Sequence, residues 1–446
     1  MNTSLMHTVP RGVLRSCLGV LLCTALGVKA ETFMVTSLHD AGPGTLREAV
    51  ERANGNPGED TIRFALDGTV QLKSPLLIKD DLRLDGMGQR VQLNGGGTVT
   101  LLVLTEPHKR LEVARLTLSQ GLASASTGGA ILARGHLIVH ESLFTGNVAP
   151  VGGAIYSTGA SLEVSNSTFA DNQALSWGGA IAVSPTTLAL ITHSTFVNNT
   201  AAQFGGALFQ NPIYPEPGAG SPAKIATRSA VAAAGAGATS AAANGAVQVR
   251  NSILSGVSAQ GNCSVISNRI IDGGGNLSSD TSCPFSADKG SASGLNPRLG
   301  PLADHGGPTH SFMPLPGSPA VDAGVDVLAT ASNGSGLGTD QRGQRRVTGL
   351  RVDRGAVELQ AADRLALPVS APGQALARLG AGPSPEPIAA LPLAEPAAGK
   401  PSAPPTVDAA GAPQKKPVRR KQPSERPAAT ATATAYQPEG PERPKP

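Results

Sequence analysis

The stretch ESLFTGNVAPVGGAIYSTGASLEVSNSTFADNQALSWGGAIAVS, residues 141–184, writes one pattern twice: a Phe-x-x-Asn, then a Gly-Gly-Ala-Ile. Outward from it, the Gly pairs recur as Gly128-Gly129, Gly152-Gly153, Gly178-Gly179 and Gly205-Gly206, in steps of 24, 26 and 27. Phe144, Phe169 and Phe196 recur in steps of 25 and 27, and Asn147, Asn172 and Asn199 keep the same steps. A period in the mid-twenties is one coil of a solenoid. Each coil buries its apolar face only against its neighbours, so the copies must stack into one continuous core.

The unit reads as strand. Leu162-Glu163-Val164 alternates apolar and polar, and Val, Ile, Thr and Phe are punctuated by Gly, Asn and Ser. If Leu162 and Val164 point inward, strict alternation sends Phe169 outward. An aromatic that recurs on every coil belongs inside, so the alternation must break, most simply at a corner near Asn166-Ser167. Two strands meeting there, plus a third carrying Ala-Ile, predict a three-sided coil with neighbours ~4.8 Å apart. The expected fold is all-β, a right-handed parallel β-helix, although the pattern itself does not encode the handedness.

Register defines columns. Thr127, Val151, Trp177 and Phe204 precede the Gly pairs, which predicts that the chain's one Trp stacks over a Phe one coil later. A polar column runs through Arg115, Glu141, Asn166, His193 and Asn251. It reads either as an exposed acid–base or glycan-binding strip or as a corner ladder hydrogen-bonded up and down the stack. The ladder fits better, because Asn at a corner tolerates left-handed backbone. The Gly pairs read as tight bends; no Lys-Ser/Thr follows them, so the phosphate-loop pattern fails.

Thr45 with Glu48 three residues later forms a capping box, and Leu46, Ala49, Val50 and Ala53 share one helical face. This predicts a short helix covering the open first coil, with Arg47 and Glu48 as cap residues. Residues 1–30 read as a secretory leader: Arg11 and Arg15 precede the apolar run Leu18 to Val28, and Val28-Lys29-Ala30 supplies the cleavage position. Cys17 and Cys23 would leave with it. Cys263 and Cys283, twenty apart in an exported chain, read as a disulfide. From residue 361 the chain holds 18 of its 36 prolines, with 11 basic and 7 acidic residues. That composition predicts a disordered tail. Removing the tail's +4 and the leader's +3 from the chain's +4 leaves −3 for residues 31–360, so the basic balance belongs to the ends. The expected organisation is a leader over 1–30, a cap over 31–60, a β-helix over 61–260 interrupted by a disordered insert at 212–245, a terminal cap region over 261–360, and the tail over 361–446.

These residues also resemble known families. Gly44-Thr45-Leu46-Arg47-Glu48-Ala49, followed by Asn56-Pro57-Gly58 and Asp60-Thr-Ile-Arg-Phe64, resembles the N-terminal signature of CSLREP-domain proteins. The Phe-x-x-Asn and Gly-Gly-Ala-Ile copies are similar to repeats of polymorphic outer-membrane proteins. Gly300-Pro-Leu-Ala-Asp-His-Gly-Gly-Pro-Thr309, Pro316-Gly-Ser-Pro-Ala-Val-Asp-Ala-Gly324, Asp340-Gln-Arg-Gly343 and Val352-Asp-Arg-Gly-Ala-Val-Glu358 resemble the end of choice-of-anchor Q domains. The resemblance covers roughly residues 31–360 and implies a pectin-lyase-like β-helix displayed outside the cell. The insert and the lack of a recognisable anchor depart from it.

Function is less legible. The pectin-lyase-like fold hosts polysaccharide lyases and hydrolases, but fold alone does not assign activity. Glu112, Glu141, Glu163 and Asp171 read as falling at different coil positions, and Asp80-Asp81 fall in an expected turn. No pattern assigns a catalytic residue, a metal ligand or a cofactor. The body lacks a basic aromatic groove, so a nucleic-acid partner is not expected. No second apolar run is long enough to span a membrane. The expected role is an exported scaffold or adhesin-like binder, monomeric, secreted, periplasmic or at the surface, with a polysaccharide or cell-surface protein as partner; the alternative is a polysaccharide lyase or glycoside hydrolase.

Overall fold

In Ser161–Ser165, Leu162 and Val164 are buried while Glu163 faces out, as half-buried alternation requires. The computed structural model describes residues 29–124, 128–210, 245–256, 258–264 and 269–366. Nearly all of the expected leader and insert, Thr127, and the tail beyond residue 366 lie outside these residues. Among the described residues, nine strands from Thr32–Val35 to Ile270–Gly274 pair in parallel with Ser161–Ser165 as sheet 1.

At Asn166 the backbone turns left-handed, with φ 46°. That single residue reverses the alternation, so Phe169 in the next strand, Thr168–Ala170, faces inward. Eight such strands, from Gly68–Gln71 to Leu277–Ser278, form sheet 2. After Asn172 the chain enters Gln173–Trp177, which pairs with Val148–Val151 and Thr200–Ala201 as the short sheet 3. It then bends at Gly178-Gly179 into Ile181–Val183, one of six strands of sheet 4. The middle coils therefore have four sides where three were expected. The extra side exists because the residues between the Asn and the Gly pair are numerous enough to pair with the next coil.

The core is a set of vertical stacks. Phe144, Phe169 and Phe196 lie face to face at 4.7 and 4.8 Å, nearly coplanar, which is the strand spacing imposed on aromatic rings. Beside them runs a buried amide ladder. Asn147 Nδ2 donates to Asn172 Oδ1 and Asn172 Nδ2 to Asn199 Oδ1, both at 2.9 Å. Each amide also donates to a main-chain carbonyl of a neighbouring coil, so the buried groups are satisfied. The Gly pair is required by packing. Gly152 has φ 63°, and a Cβ on Gly153 would lie 2.1 Å from the Gly179 carbonyl oxygen of the next coil. Trp177 shares the register of Phe204, but its ring stacks on Phe209, at 6.0 Å, rather than on Phe204 as expected.

The first end is closed by a helix. Helix α1, Leu46–Gly55, buries Leu46, Ala49, Val50 and Ala53 against the first coils, and Thr45 caps it. Glu48 reaches back to the Gly44 N–H, and Arg47 pairs with Asp40 at 2.7 Å and donates to the Ser74 and Pro75 carbonyls. Cys263 and Cys283 form a disulfide.

The terminal region departs from a simple end cap. After Leu277–Ser278 the chain forms an antiparallel hairpin, Leu299–Ala303 with Ser311–Pro314, and runs back along the outside of sheet 2 as a strap. Phe312 packs on Ala170 and Val197, Gln341 accepts from Thr168 Oγ1 at 2.6 Å, and Asp304 pairs with Arg90 at 2.5 Å. From the coil of Asn251 to that of Arg90 this is six strands, about 24 Å. On the outer face of sheet 2 the strap buries Ala170, Val197 and Ile253. A short helix α2, Ala361–Ala366, follows where the tail was expected to begin; its Arg364 pairs with Asp322 at 3.2 Å.

Candidate functional site

The outer face of sheet 1 carries two adjoining open clefts. Its register runs Arg83, Glu112, Ile138, Glu163, Leu190, Gln248 and Ile271 as one outward column. Glu112 and Glu163 thus share a register position on either side of Ile138, correcting the expectation that they fall at different coil positions. The one-dimensional reading missed this because coil lengths vary and only pairing reveals which residues align. Asp171, by contrast, sits exposed at a different corner.

At one end of the face, six side chains from three coils close into a ring of alternating charge type. Arg83 contacts Asp85 at 3.2 Å and Glu112 at 2.7 Å. His140 Nε2 lies 3.0 Å from Glu112, and its Nδ1 lies 4.0 Å from Glu141. Arg115 completes the ring, 2.8 Å from Glu141 and 2.7 Å from Asp85. The His140 hydrogen bond, with Arg83 and Arg110 beside it, holds the Glu112 carboxyl below its usual range against the opposing effect of burial. Burial alone would push Asp85 up, but Arg115 and Arg83 outweigh it and hold its carboxyl low. A general acid needs the opposite shift. The shifts at Asp85 and Glu112 thus favour fixed negative charge.

Beside the ring lies a cleft of about 420 Å³. Its floor is sheet 1, with Arg110, Glu112, His140 and Glu163, and its roof is the Gly-rich strap segment 331–339. Ser332 ties that roof down, its N–H donating to Glu163 Oε1 at 2.9 Å and its hydroxyl to Oε2. Past Glu163 a second groove of about 490 Å³ continues over Ile138, Leu188, Leu190 and Ile271. On its margin His136 Nδ1 and Ser161 Oγ are 2.8 Å apart.

The polar corner column has a divided fate. Arg115, Glu141, Asn166, His193 and Asn251 all have positive φ, between 44 and 57°, so the column is a corner by backbone geometry. It is not an open strip. Asn166, His193 and Asn251 are buried, and strap residues occupy the first and last: Asn166 Nδ2 donates to Thr339 O at 2.8 Å and Arg346 donates to Asn166 Oδ1. Nor do these side chains bond up and down as a ladder, apart from Arg115 with Glu141. The ladder contacts belong to Asn147, Asn172 and Asn199, and to Ser142, Ser167, Ser194 and Ser252, whose hydroxyls accept N–H groups of the preceding coil. Of the column, Glu141 joins the charge ring, and Asn166 borders the cleft.

Among the described residues no helix is long and apolar enough to cross a membrane. The chain is similar in structure to Jun a 1, the major allergen from cedar pollen, at 14% identity and a TM-score of 0.24, over 44% of this chain and 82% of that one. No match to a curated protein is found. Residues 141–158 and 166–184 match the Chlamydia polymorphic membrane protein repeat.

Proposed function

We propose that this chain is an exported, surface-exposed β-helix whose outer sheet 1 face binds an extended polymer, with the strap and core serving as scaffold. One observation carries the reading: the strap packs on the middle strands of sheet 2, whereas sheet 1 presents two adjoining clefts beside a ring of paired polar side chains. The leader-like residues 1–30, the polymorphic membrane protein repeats and the resemblance to CSLREP and choice-of-anchor Q domains support export and display. A lyase or hydrolase on the same fold has less support, since the Glu112 and Asp85 carboxyls are held low by cations.

The test is retention of the purified exported chain on immobilised polysaccharides and on cell-surface protein extracts, with reducing ends and unsaturated products followed in parallel, with and without Ca²⁺. Retention without product formation is the expected result. Product formation would replace binding by catalysis, and no retention on any matrix would remove the binding role.

A further inference from the structure

The charges of the sheet 1 face restrict what it can hold. Asp85, Glu112 and Glu141 each face a cation already in the ring, and Arg110 pairs with Glu59 and Glu112. A charged ligand group entering the ring would have to displace one of these partners. That would leave a half-buried charge without its counter-charge, a cost larger than the gain from one new pair. Neutral hydroxyls meet no such obstacle. A carboxylate offers about four acceptor sites and a guanidinium five donors. Glu163, for example, accepts only from the Ser332 N–H and hydroxyl among the contacts described. Hydroxyl groups can add to these planar groups without breaking the ring.

The neighbouring groove supplies the other half of the chemistry. Ile138, Leu188, Leu190 and Ile271 present aliphatic surface; Leu188 is 56% and Ile271 42% exposed, so both are open to contact. The C–H faces of sugar rings pack on such surface, while the hydroxyl edges need planar polar groups. A polypeptide segment fits less well, because its main chain needs an unpaired strand edge to bind by strand addition. Here the clefts lie over paired strands in the body of sheet 1. The two clefts draw on six adjacent strands, from Arg110–Ala114 to Ile270–Gly274, which gives a track of about 24 Å.

We propose that the sheet 1 track binds an electrically neutral oligosaccharide, its hydroxyls on Arg110, Glu112, His140 and Glu163 and its C–H faces on Ile138, Leu190 and Ile271. The ligand class rests on the reading of sheet 1 as the binding face. With aliphatic platforms, each sugar contributes little, so affinity grows with oligomer length until the track is filled.

Calorimetry on the exported chain tests this with length series of neutral gluco-, xylo- and manno-oligosaccharides, beside polygalacturonate, poly-lysine and gelatin. The expected result is binding of a neutral series that tightens with length and is insensitive to salt. Glu163→Gln at one cleft and Ile271→Asp at the other should each weaken it about tenfold, the effect of one lost charge-assisted contact or one misplaced charge. Unchanged melting curves would show that the variants are folded. Binding confined to polygalacturonate, poly-lysine or gelatin would overturn the neutral-glycan inference and leave sheet 1 a binding face. Neutral binding untouched by both variants would move the site elsewhere. Binding to none of the probes, with cell-surface proteins also failing to be retained, would overturn both readings.

Discussion

Asn251 and Val325 bond to each other twice: the Asn251 side chain donates from Nδ2 to the Val325 carbonyl at 2.9 Å and accepts the Val325 N–H at Oδ1 at 2.8 Å. The amide thereby imitates a neighbouring strand and fastens the middle of the strap to the corner of the solenoid. Asn251 also holds φ 44°, a conformation Asn tolerates better than most residues. Replacing it with Ala would strand two main-chain groups and strain the corner. Asn251→Ala should cost about 3–5 kcal/mol in denaturant unfolding. Asp304→Ala, which breaks the exposed pair with Arg90 at the strap's far reach, should cost less than about 1 kcal/mol. Equal costs would show that the buried Asn251 contact holds the strap no more tightly than the exposed pair.

Stability should depend on pH through the seam between strap and solenoid. Burial and the neighbouring Asp353 raise the Glu358 carboxyl to about 7, with the Arg346 cation opposing; Asp353 is itself raised by burial. A carboxyl raised in the fold contributes stability that is fully present below its unfolded value and lost as pH rises through about 7. His193 acts in the other direction. Burial, with the Arg346 charge, holds it well below its usual value, so its contribution is present above about 6.5 and lost as pH falls. Between about pH 4.5 and 6.5 the two groups oppose each other, so calorimetric melting from acid to alkaline pH should pass through a broad, mildly acidic maximum, with less than about 1 kcal/mol lost toward pH 8. A rising melting temperature across neutrality would contradict the placement of Glu358.

The disulfide closes a loop of 20 residues where the last coil ends. Serine at both Cys263 and Cys283 should lower stability by about 3 kcal/mol. If reduction leaves the melting temperature unchanged, the bond adds nothing to the fold.

Leu46 is fully buried under α1. Leu46→Asp should loosen the helix from the first coil and expose the edge of Thr32–Val35 to pairing with another chain. Size-exclusion chromatography should then show association; an unchanged monomeric profile would count against α1 as an edge cover.

The charge ring was hidden from a linear reading for a definite reason. Asp85, Glu112, His140 and Glu141 lie on three coils of unequal length, and no short motif joins them. Only the pairing of Ile138 with both Glu112 and Glu163 shows which side chains share the face. The strap was missed similarly: residues 297–360 carry no repeat, and the partners of Asn166, Thr168 and Asn251 lie 74 to 180 positions away.

What the amino-acid sequence determined by itself is the coil. Recurring Phe, Asn and Gly-Gly each meet their own copy one turn later, so a local pattern dictates the core stacks, the amide ladder and the tight bend, and the capping box dictates α1. Tertiary structure alone decided which faces are covered. The strap's return path depends on contacts between residues that share no periodicity, and that path buries the middle of sheet 2 and the corner, and roofs one cleft of sheet 1. Periodic burial is written locally because each coil packs on a near-identical neighbour; the site is not, because it forms where non-repeating chain crosses repeating chain.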